Sequence, residues 1–473
     1  MDGCCGEAHT RRQQDDGGAE NTQKGGTHMA LTGMQIYKNL PKSNCKECGL
    51  PTCMAFAMQV AAKQKELTAC PHLSGDAEQA LSEASAPPMK LIKIGPEDKQ
   101  FEFGQETVMF RHEEKFHRRS GIAVRIAASL SDEEVAARVE HLNNSEFMRV
   151  GDTLKVELVA VEVDGVDDPA GRAKLVAEKS QIPLILIGSS KEAMSTAAEA
   201  IKAEKPLIYK ADADNIDDFS QIAASNKLPL AVSGADLEEL ANLTTKARTN
   251  KVEEVVLAFK ADNVGETIRD LTIARRSALK KQFRALGYPS MVEVVAESPE
   301  TECVFAASFA AKYAAIVIID GFESWELLPI MTAIQDVYTD PQVPNTVEAK
   351  LYEIGSTDEN SPVMFTTNFS LTYFSVEGEV ERSKVPTYIS VVETEGLGVL
   401  NAYAGDKISA EKVVKTLQEQ KVADKVKHRK LIIPGLLPIF RAEIEDTSEW
   451  EEVIIGPENA REIPGFLTKL AGK

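Results

Sequence analysis

The sequence predicts an α/β protein of several domains: a small helical region carrying cysteines, a central (β/α)8 barrel, and a C-terminal Rossmann-like or flavodoxin-like domain. Three observations carry that prediction. Four of the seven cysteines fall between residues 45 and 70, eight short apolar runs alternate with amphipathic segments from about 120 to 340, and the rhythm changes after about 350. A chain of 473 residues exceeds what one core usually organises, so two to four domains of roughly 100–200 residues are expected.

Charge and hydropathy exclude several classes of function. With 53 Lys+Arg against 73 Asp+Glu, the net charge of −20 opposes phosphate backbones and anionic membranes, which argues against nucleic acid as a partner. No run of about 18 apolar residues is present to cross a bilayer, and no charged start followed by an apolar stretch resembles a secretion signal. A cytoplasmic location is expected, and in that reducing compartment clustered thiols are metal ligands or catalytic groups more often than disulfides.

Taken in order, residues 1–28 read as a vector-derived leader, because Gly17-Gly18, Gly25-Gly26 and Thr27-His28-Met29 look like a fusion joined to a start methionine. Cys4 and Cys5 go with it. Residues 29–85 are helical in pattern, with a strong helix former run from Met54 to Ala62 directly after Cys53. Pro87-Pro88 end that pattern, and 86–95 reads as a linker. The barrel is assigned to 96–345, with strands at 122–126, 154–161, 184–187, 207–209, 228–232, 255–259, 292–295 and 316–319. Helical segments such as 191–205 and 236–248 lie between them, so a parallel sheet with covering helices is implied. Eight units in roughly 220 residues fit a closed barrel better than an open doubly wound sheet, which is the alternative. Residues 346–473 form the last domain. Its stretch 363–380 reads as paired strands, followed by three βα units with strands at 388–392, 431–433 and 453–455.

The cysteine spacing Cys45-x2-Cys48-x4-Cys53-x16-Cys70-Pro71 brings four thiolates toward one point from a compact loop and the end of the next helix. Zinc accepts four thiolates, but structural zinc sites usually present two separate Cys-x2-Cys knuckles. Three local ligands and one remote ligand before a proline favour an iron-sulfur cluster, with 4Fe-4S as the expectation and zinc as the alternative. Cys303, alone in an Ala/Phe-rich run, reads as a small buried hydrophobe.

In an open α/β sheet the ligand lies beyond the carboxyl ends of the strands. Three such ends in the last domain carry glycine, in Gly396-Leu397-Gly398-Val399-Leu400-Asn401, in Pro434-Gly435 and in Gly456-Pro457. For any one of these glycines a turn role is as good an explanation as ligand contact; their recurrence at three strand ends is the better argument. A dinucleotide fits poorly, because Asn401 stands where the third glycine of Gly-x-Gly-x-x-Gly belongs and no acidic residue follows the next strand. In the barrel, Asp320, Ser189 and Ser233 end strands, a position that reads as catalytic in barrel enzymes. No paired carboxylate, His cluster or Ser/His/Asp set accompanies them, and a docking scaffold is the preferred reading.

The segment from Met29 through Cys45-Lys46-Glu47-Cys48-Gly49 to Met58 resembles the start of the large subunit of the corrinoid iron-sulfur protein of the reductive acetyl-CoA pathway. The similarity extends through Phe365-Thr366-Thr367-Asn368 to Tyr373, through His428 to Gly435, and to the tail. The resemblance implies a 4Fe-4S domain, a TIM barrel and a corrinoid-binding Rossmann-like domain. It implies that Cys45, Cys48, Cys53 and Cys70 hold the cluster, and that corrinoid contacts come from Thr366, Asn368, Thr372, Phe374, Gly396 to Asn401, Pro434, Gly435, Gly456, Pro457 and Arg461. The implied function is methyl carriage from methyltetrahydrofolate, through a methyltransferase, to acetyl-CoA synthase, with the cluster reducing Co(II) back to Co(I). The implied partners are a small subunit, that methyltransferase, acetyl-CoA synthase and a reductive activator ATPase. None of the seven histidines has Asp two residues before it, so the Asp-x-His-x-x-Gly ligand of many corrinoid domains is missing. A base-off corrinoid with no protein axial ligand is therefore expected, which eases reduction of the metal. The rival readings are an iron-sulfur oxidoreductase with a nucleotide in the last domain and a zinc-bearing scaffold subunit.

Overall fold

The structure, a computed structural model, describes residues 33–61, 65, 69–73, 87–261 and 263–472. The expected leader, with Cys4 and Cys5, lies outside them, as does most of the stretch before Pro87. The described chain divides into two compact units that meet at Pro87/Pro88.

In the first unit the helices Gly33–Asn39 and Cys53–Ala61 pack around Ile36, Leu40, Phe56 and Ala57, with Cys53 and Cys70 in the same core. Thr52 starts the second helix, its Oγ1 accepting from the Ala55 N–H at 3.1 Å.

The second unit opens with an antiparallel hairpin, β1 (Leu91–Ile94) and β2 (Phe101–Gly104). Within the stretch read as linker, Leu91–Ile94 is thus a strand, and its Ile92 and Ile94 are fully buried. The barrel strands are β3 (Gly121–Ile126), β6 (Leu158–Glu162), β7 (Leu184–Ile187), β8 (Leu207–Ala211), β9 (Leu230–Val232), β10 (Val255–Ala261), β11 (Ser290–Val294) and β12 (Ala314–Ile319). They close in chain order, all pairs parallel, β12 returning to β3. Each of the eight predicted runs supplies one of them. One run needs dividing. Residues 154–161 hold the end of the hairpin β4 (Glu146–Arg149) and β5 (Asp152–Lys155), then β6. The physical reason is a change of period. Leu154 and Val156 alternate with polar neighbours, as a half-exposed ribbon requires, whereas 158–161 are continuously apolar and buried, as a barrel strand requires.

Ile92, Ile94 and Phe103 of the first hairpin share a core with inward residues such as Ala123, Leu158, Val256 and Ile316, so the hairpin plugs the amino end of the barrel. At the β3–β6 seam, Glu157 Oε2 accepts the Ile122 N–H at 2.9 Å. Burial pushes this carboxyl up to about 7, a rise that the backbone hydrogen bonds only partly offset. A carboxyl whose folded pKa lies above its unfolded value holds its proton more tightly in the native state. Stability is therefore present below about pH 4.5 and is lost as pH rises towards 7. Glu157→Gln is expected to remove that slope and to raise stability at pH 8 by about 1–3 kcal/mol, read from urea unfolding of the two proteins at pH 5 and 8.

The C-terminal sheet contains β13 (Leu351–Ile354), β14 (Val363–Thr367), β15 (Thr387–Val392), β16 (Lys430–Ile433) and β17 (Glu452–Ile455), in the order β13-β15-β14-β16-β17. Only β13, an edge strand that the sequence reading did not identify, is antiparallel. The four parallel strands run in the order 2-1-3-4, the flavodoxin-like arrangement, whose switch point lies between β14 and β16. The expected strand pair over 363–380 is corrected: β14 ends at Thr367, and Ser370–Ser383 is a helix. Its Thr, Tyr, Phe and Val residues suggest strand by propensity, but Tyr373, Val376 and Val380 recur at helical spacing and pack in one core. Among the described residues no helix is long and apolar enough to cross a membrane.

Candidate cofactor sites

The thiol loop is shaped by a reciprocal pairing in which the backbone N–H of each of two residues donates to the side chain of the other. Cys53 N–H donates to Asn44 Oδ1 at 2.8 Å, and Asn44 N–H donates to Cys53 Sγ at 3.4 Å, folding the residue before Cys45 against the start of the second helix. Asn44, Lys46 and Gly49 all have positive φ, and Lys65 Nζ donates to Cys48 O. Cys53 and Cys70 are buried, Cys48 is half-buried and Cys45 exposed. Beside Cys45, Glu47 Oε2 and His72 Nε2 lie 3.0 Å apart. Among the described residues no three cysteine sulfurs lie within 4.8 Å of one another. Sequence spacing found the four thiols; nothing in it signalled Asn44.

The carboxyl ends of β14, β16 and β17 surround a cavity of about 270 Å³. Thr366, Thr372, Val399, Pro434, Gly456 and Pro457, all proposed from sequence, line it. So do Leu371, Val376, Leu436 and Ile463, which sequence reading missed; for the first two the signal was the helical periodicity of 370–383, obscured by β-propensity. Exposed apolar residues stand on the segments that follow the strands: Leu371, which lines the cavity, and Leu400, Tyr403 and Ile439. Among the described residues no histidine lines the cavity. His428 lies at the other end of the sheet, bonded to Ser361 O at 2.9 Å.

The remaining sequence-proposed residues stand elsewhere. Asn368, which follows β14, is buried under the loop after β15, bonded to Glu393, Thr394 and Gly396. Phe374 lies against Gly151 at the tip of the β4–β5 hairpin, where an added Cβ would meet its ring at 2.5 Å. Leu397 O accepts from Thr394 Oγ1, Asn401 O accepts from the Gly405 N–H, and Arg461 is exposed. Two glycines serve backbone packing. A Cβ on Gly435 would sit 2.5 Å from Gly456 O and 2.7 Å from Glu458 N, so its absence lets two strand-end loops touch. Gly396 has φ +72°, a conformation that side chains other than glycine seldom adopt. Gly398, by contrast, has only the Thr372 hydroxyl at 3.5 Å and Phe369 at 3.6 Å before its missing Cβ.

At the carboxyl end of the barrel, inward positions switch from apolar to charged. Arg125 meets Asp320 at 3.0 Å, Glu293 at 3.1 Å and Glu162 at 3.4 Å. Tyr209 Oη donates to Glu293 across the barrel at 2.8 Å, and Lys210 lies 3.5 Å from the same carboxylate. Burial raises the Glu293 carboxyl, but the Tyr209 hydrogen bond and the Lys210 and Arg125 charges bring it below the usual range overall. Ser189 Oγ donates to Asp164, and Ser233 N–H to Ala211 O. Asp320 is thus paired with Arg125, and the Ser189 hydroxyl with Asp164. Arg125→Ala leaves three carboxylates facing one another and is expected to cost about 2–3 kcal/mol in denaturant unfolding.

The family model described as CO dehydrogenase/acetyl-CoA synthase delta subunit matches residues 91–467, and an Fe-S cluster family model matches 40–72. The chain is 42% identical over 440 residues to the corrinoid/iron-sulfur protein large subunit of Moorella thermoacetica, covering 93% of this chain and 98% of that one. It is 35% identical over 459 residues to the acetyl-CoA decarbonylase/synthase complex subunit gamma of Methanothermobacter thermautotrophicus, covering 94% and 100%. The corresponding subunit of Methanopyrus kandleri is 34% identical over 456 residues, with 93% and 98% covered. This chain is therefore a member of the family of corrinoid/iron-sulfur protein large subunits.

Proposed function

We propose that the chain is a methyl-group carrier of the acetyl-CoA pathway, with a corrinoid at the C-terminal cavity and a 4Fe-4S cluster on Cys45, Cys48, Cys53 and Cys70. The observation that carries this reading is the apolar cavity at the flavodoxin-type switch point, lined by hydroxyls and aliphatic groups and by no imidazole. When bound, the corrinoid supplies a cobalt that accepts and yields a methyl group, and the cluster supplies the electron that restores over-oxidised metal.

The chain's own residues do the holding. Thr366 and Thr372 offer hydroxyls to amide side chains of the macrocycle, while Leu371, Val376, Val399 and Ile463 take apolar edges. Gly396 to Asn401, Pro434, Gly435, Gly456 and Pro457 shape the surrounding loops, with Phe374 and Arg461 at the periphery. At about 270 Å³ the cavity is below the size that encloses a drug-sized ligand, about 300–1,000 Å³, so it takes only part of a larger macrocycle. The rest lies on the exposed apolar rim, which a second subunit must cover to keep water away. That subunit is the small subunit implied by the relatives' names, with the methyltetrahydrofolate methyltransferase, acetyl-CoA synthase and a reductive activator ATPase as successive partners in the cytoplasm. Since no described histidine lines the cavity, a corrinoid held there would receive no imidazole donor from it.

The test is reconstitution of the anaerobic heterodimer with corrinoid, followed by assay of cobalt, iron and sulfide and a visible spectrum. Corrinoid bands with a broad iron-sulfur absorption are expected. A colourless protein, or one that holds iron but no cobalt, overturns the reading.

A further inference from the structure

We infer that Asn368 is a positioning residue that locks the wall of the C-terminal cavity to the segment joining barrel and sheet; the inference rests on the reading of that cavity as the corrinoid site. Asn368 is 1% exposed and does not line the cavity. Its Oδ1 accepts from the Thr394 N–H at 2.9 Å and the Gly396 N–H at 3.1 Å, and lies 2.9 Å from the Thr394 hydroxyl, whose one proton it shares with Leu397 O. Its Nδ2 donates to Glu393 Oε2 at 2.8 Å. The side chain therefore builds the loop after β15 from within, including the left-handed residues Glu395 and Gly396.

The backbone at the same position holds the joining segment. Asn368 O accepts the Val347 N–H at 2.9 Å, Ser370 N–H donates to Asn345 O at 3.0 Å, and Thr346 bridges Phe369. Pro344 and Thr346 also close over Gly396, at 2.7 and 2.8 Å from where its Cβ would be. Two helices that line the cavity start from these pinned loops. Ser370–Ser383 carries Leu371, Thr372 and Val376, and Val399–Ala404 carries Val399. A displacement of 344–347 is thus passed through one residue to both walls.

An amide is required for this, because the oxygen must accept two backbone N–H bonds while the nitrogen donates to a carboxylate. Asn368→Asp preserves shape but sets a second carboxylate against Glu393, and two carboxylates that close share one proton. Of the charged groups around this position, Glu393 faces residue 368, and Glu395 is paired with Lys407 at 2.7 Å.

The experiment uses the full heterodimer reconstituted with corrinoid. Asn368→Ala is expected to speed amide exchange at Thr394, Gly396 and Val347 about tenfold or more, leave barrel strands unchanged, and weaken corrinoid retention by a similar factor. Unchanged exchange at Val347 overturns the coupling to the joining segment, and unchanged retention despite faster exchange overturns the positioning role. Should the alanine variant not fold, Asn368→Asp decides: retention should fall at pH 8 and recover towards wild type at pH 6, and an equal loss at both overturns the inference. A wild-type protein that takes up no corrinoid defeats the cofactor reading instead, and leaves the exchange result to stand on its own.

Discussion

Cys48→Ala is expected to strip the cluster from the protein and abolish reductive reactivation, while methyl transfer by chemically reduced protein continues. The expectation follows from the separation of the two donor sets. The thiols belong to one compact unit and the cavity to the other, divided at Pro87/Pro88. Cys48 is half-buried beside a core that contains Cys53 and Cys70, so losing its thiol removes a ligand without emptying the core around Phe56. Iron and sulfide content, the rate of reductive reactivation and the rate of methyl transfer after chemical reduction should be measured on one preparation. Iron-sulfur ligation by four thiolates predicts loss of the first two and retention of the third. Loss of all three together counts against an electron-supply role for the thiol unit.

Gly435→Val is expected to be the most damaging single substitution near the cavity. Its Cβ would sit 2.5 Å from Gly456 O and 2.7 Å from Glu458 N, both backbone atoms that cannot swing aside. Pro434, Gly456 and Pro457 line the cavity, so relief of that clash must move the wall itself. Overpacking of this kind costs about 1–3 kcal/mol, and the displaced loops should also lower cobalt content after reconstitution. Gly398→Ala is the contrasting variant. Its new Cβ would meet the Thr372 hydroxyl only at 3.5 Å, and thermal unfolding and cobalt content should both stay near wild type. Equal effects from the two substitutions would mean that loop-to-loop contact is not what Gly435 provides.

The barrel was legible because its strands are buried on both faces. Runs such as 184–187 and 316–319 are continuously apolar, and no other period competes with them. The hairpin β4–β5 and the helix Ser370–Ser383 were not. In each, β-branched and aromatic residues have a strand-like composition, and only tertiary burial decides whether the same residues sit on a ribbon, a barrel wall or a helix face. The cysteines were legible because thiols are scarce and their spacing is local. The cavity was legible by strand end and less so by residue, since Thr366 and Pro434 line it while Asn368 and Gly435 serve loops whose partners lie 28 and 21 positions on, at Gly396 and Gly456. The charged layer around Arg125 shows the same limit. Its members come from five strands or strand ends, and no local pattern announces that they pair.

The hairpin under the barrel fixes where an autonomous piece of this protein can begin. Ile92, Ile94 and Phe103 are wholly shielded from solvent, and the side chains they cover are the lowest inward tier of the barrel strands. A fragment started at Gly121, the first barrel strand, would open that greasy floor to water and should precipitate, whereas one started at Pro88 keeps its own stopper. The span recognised by the family model, which starts at Leu91, has the same lower limit.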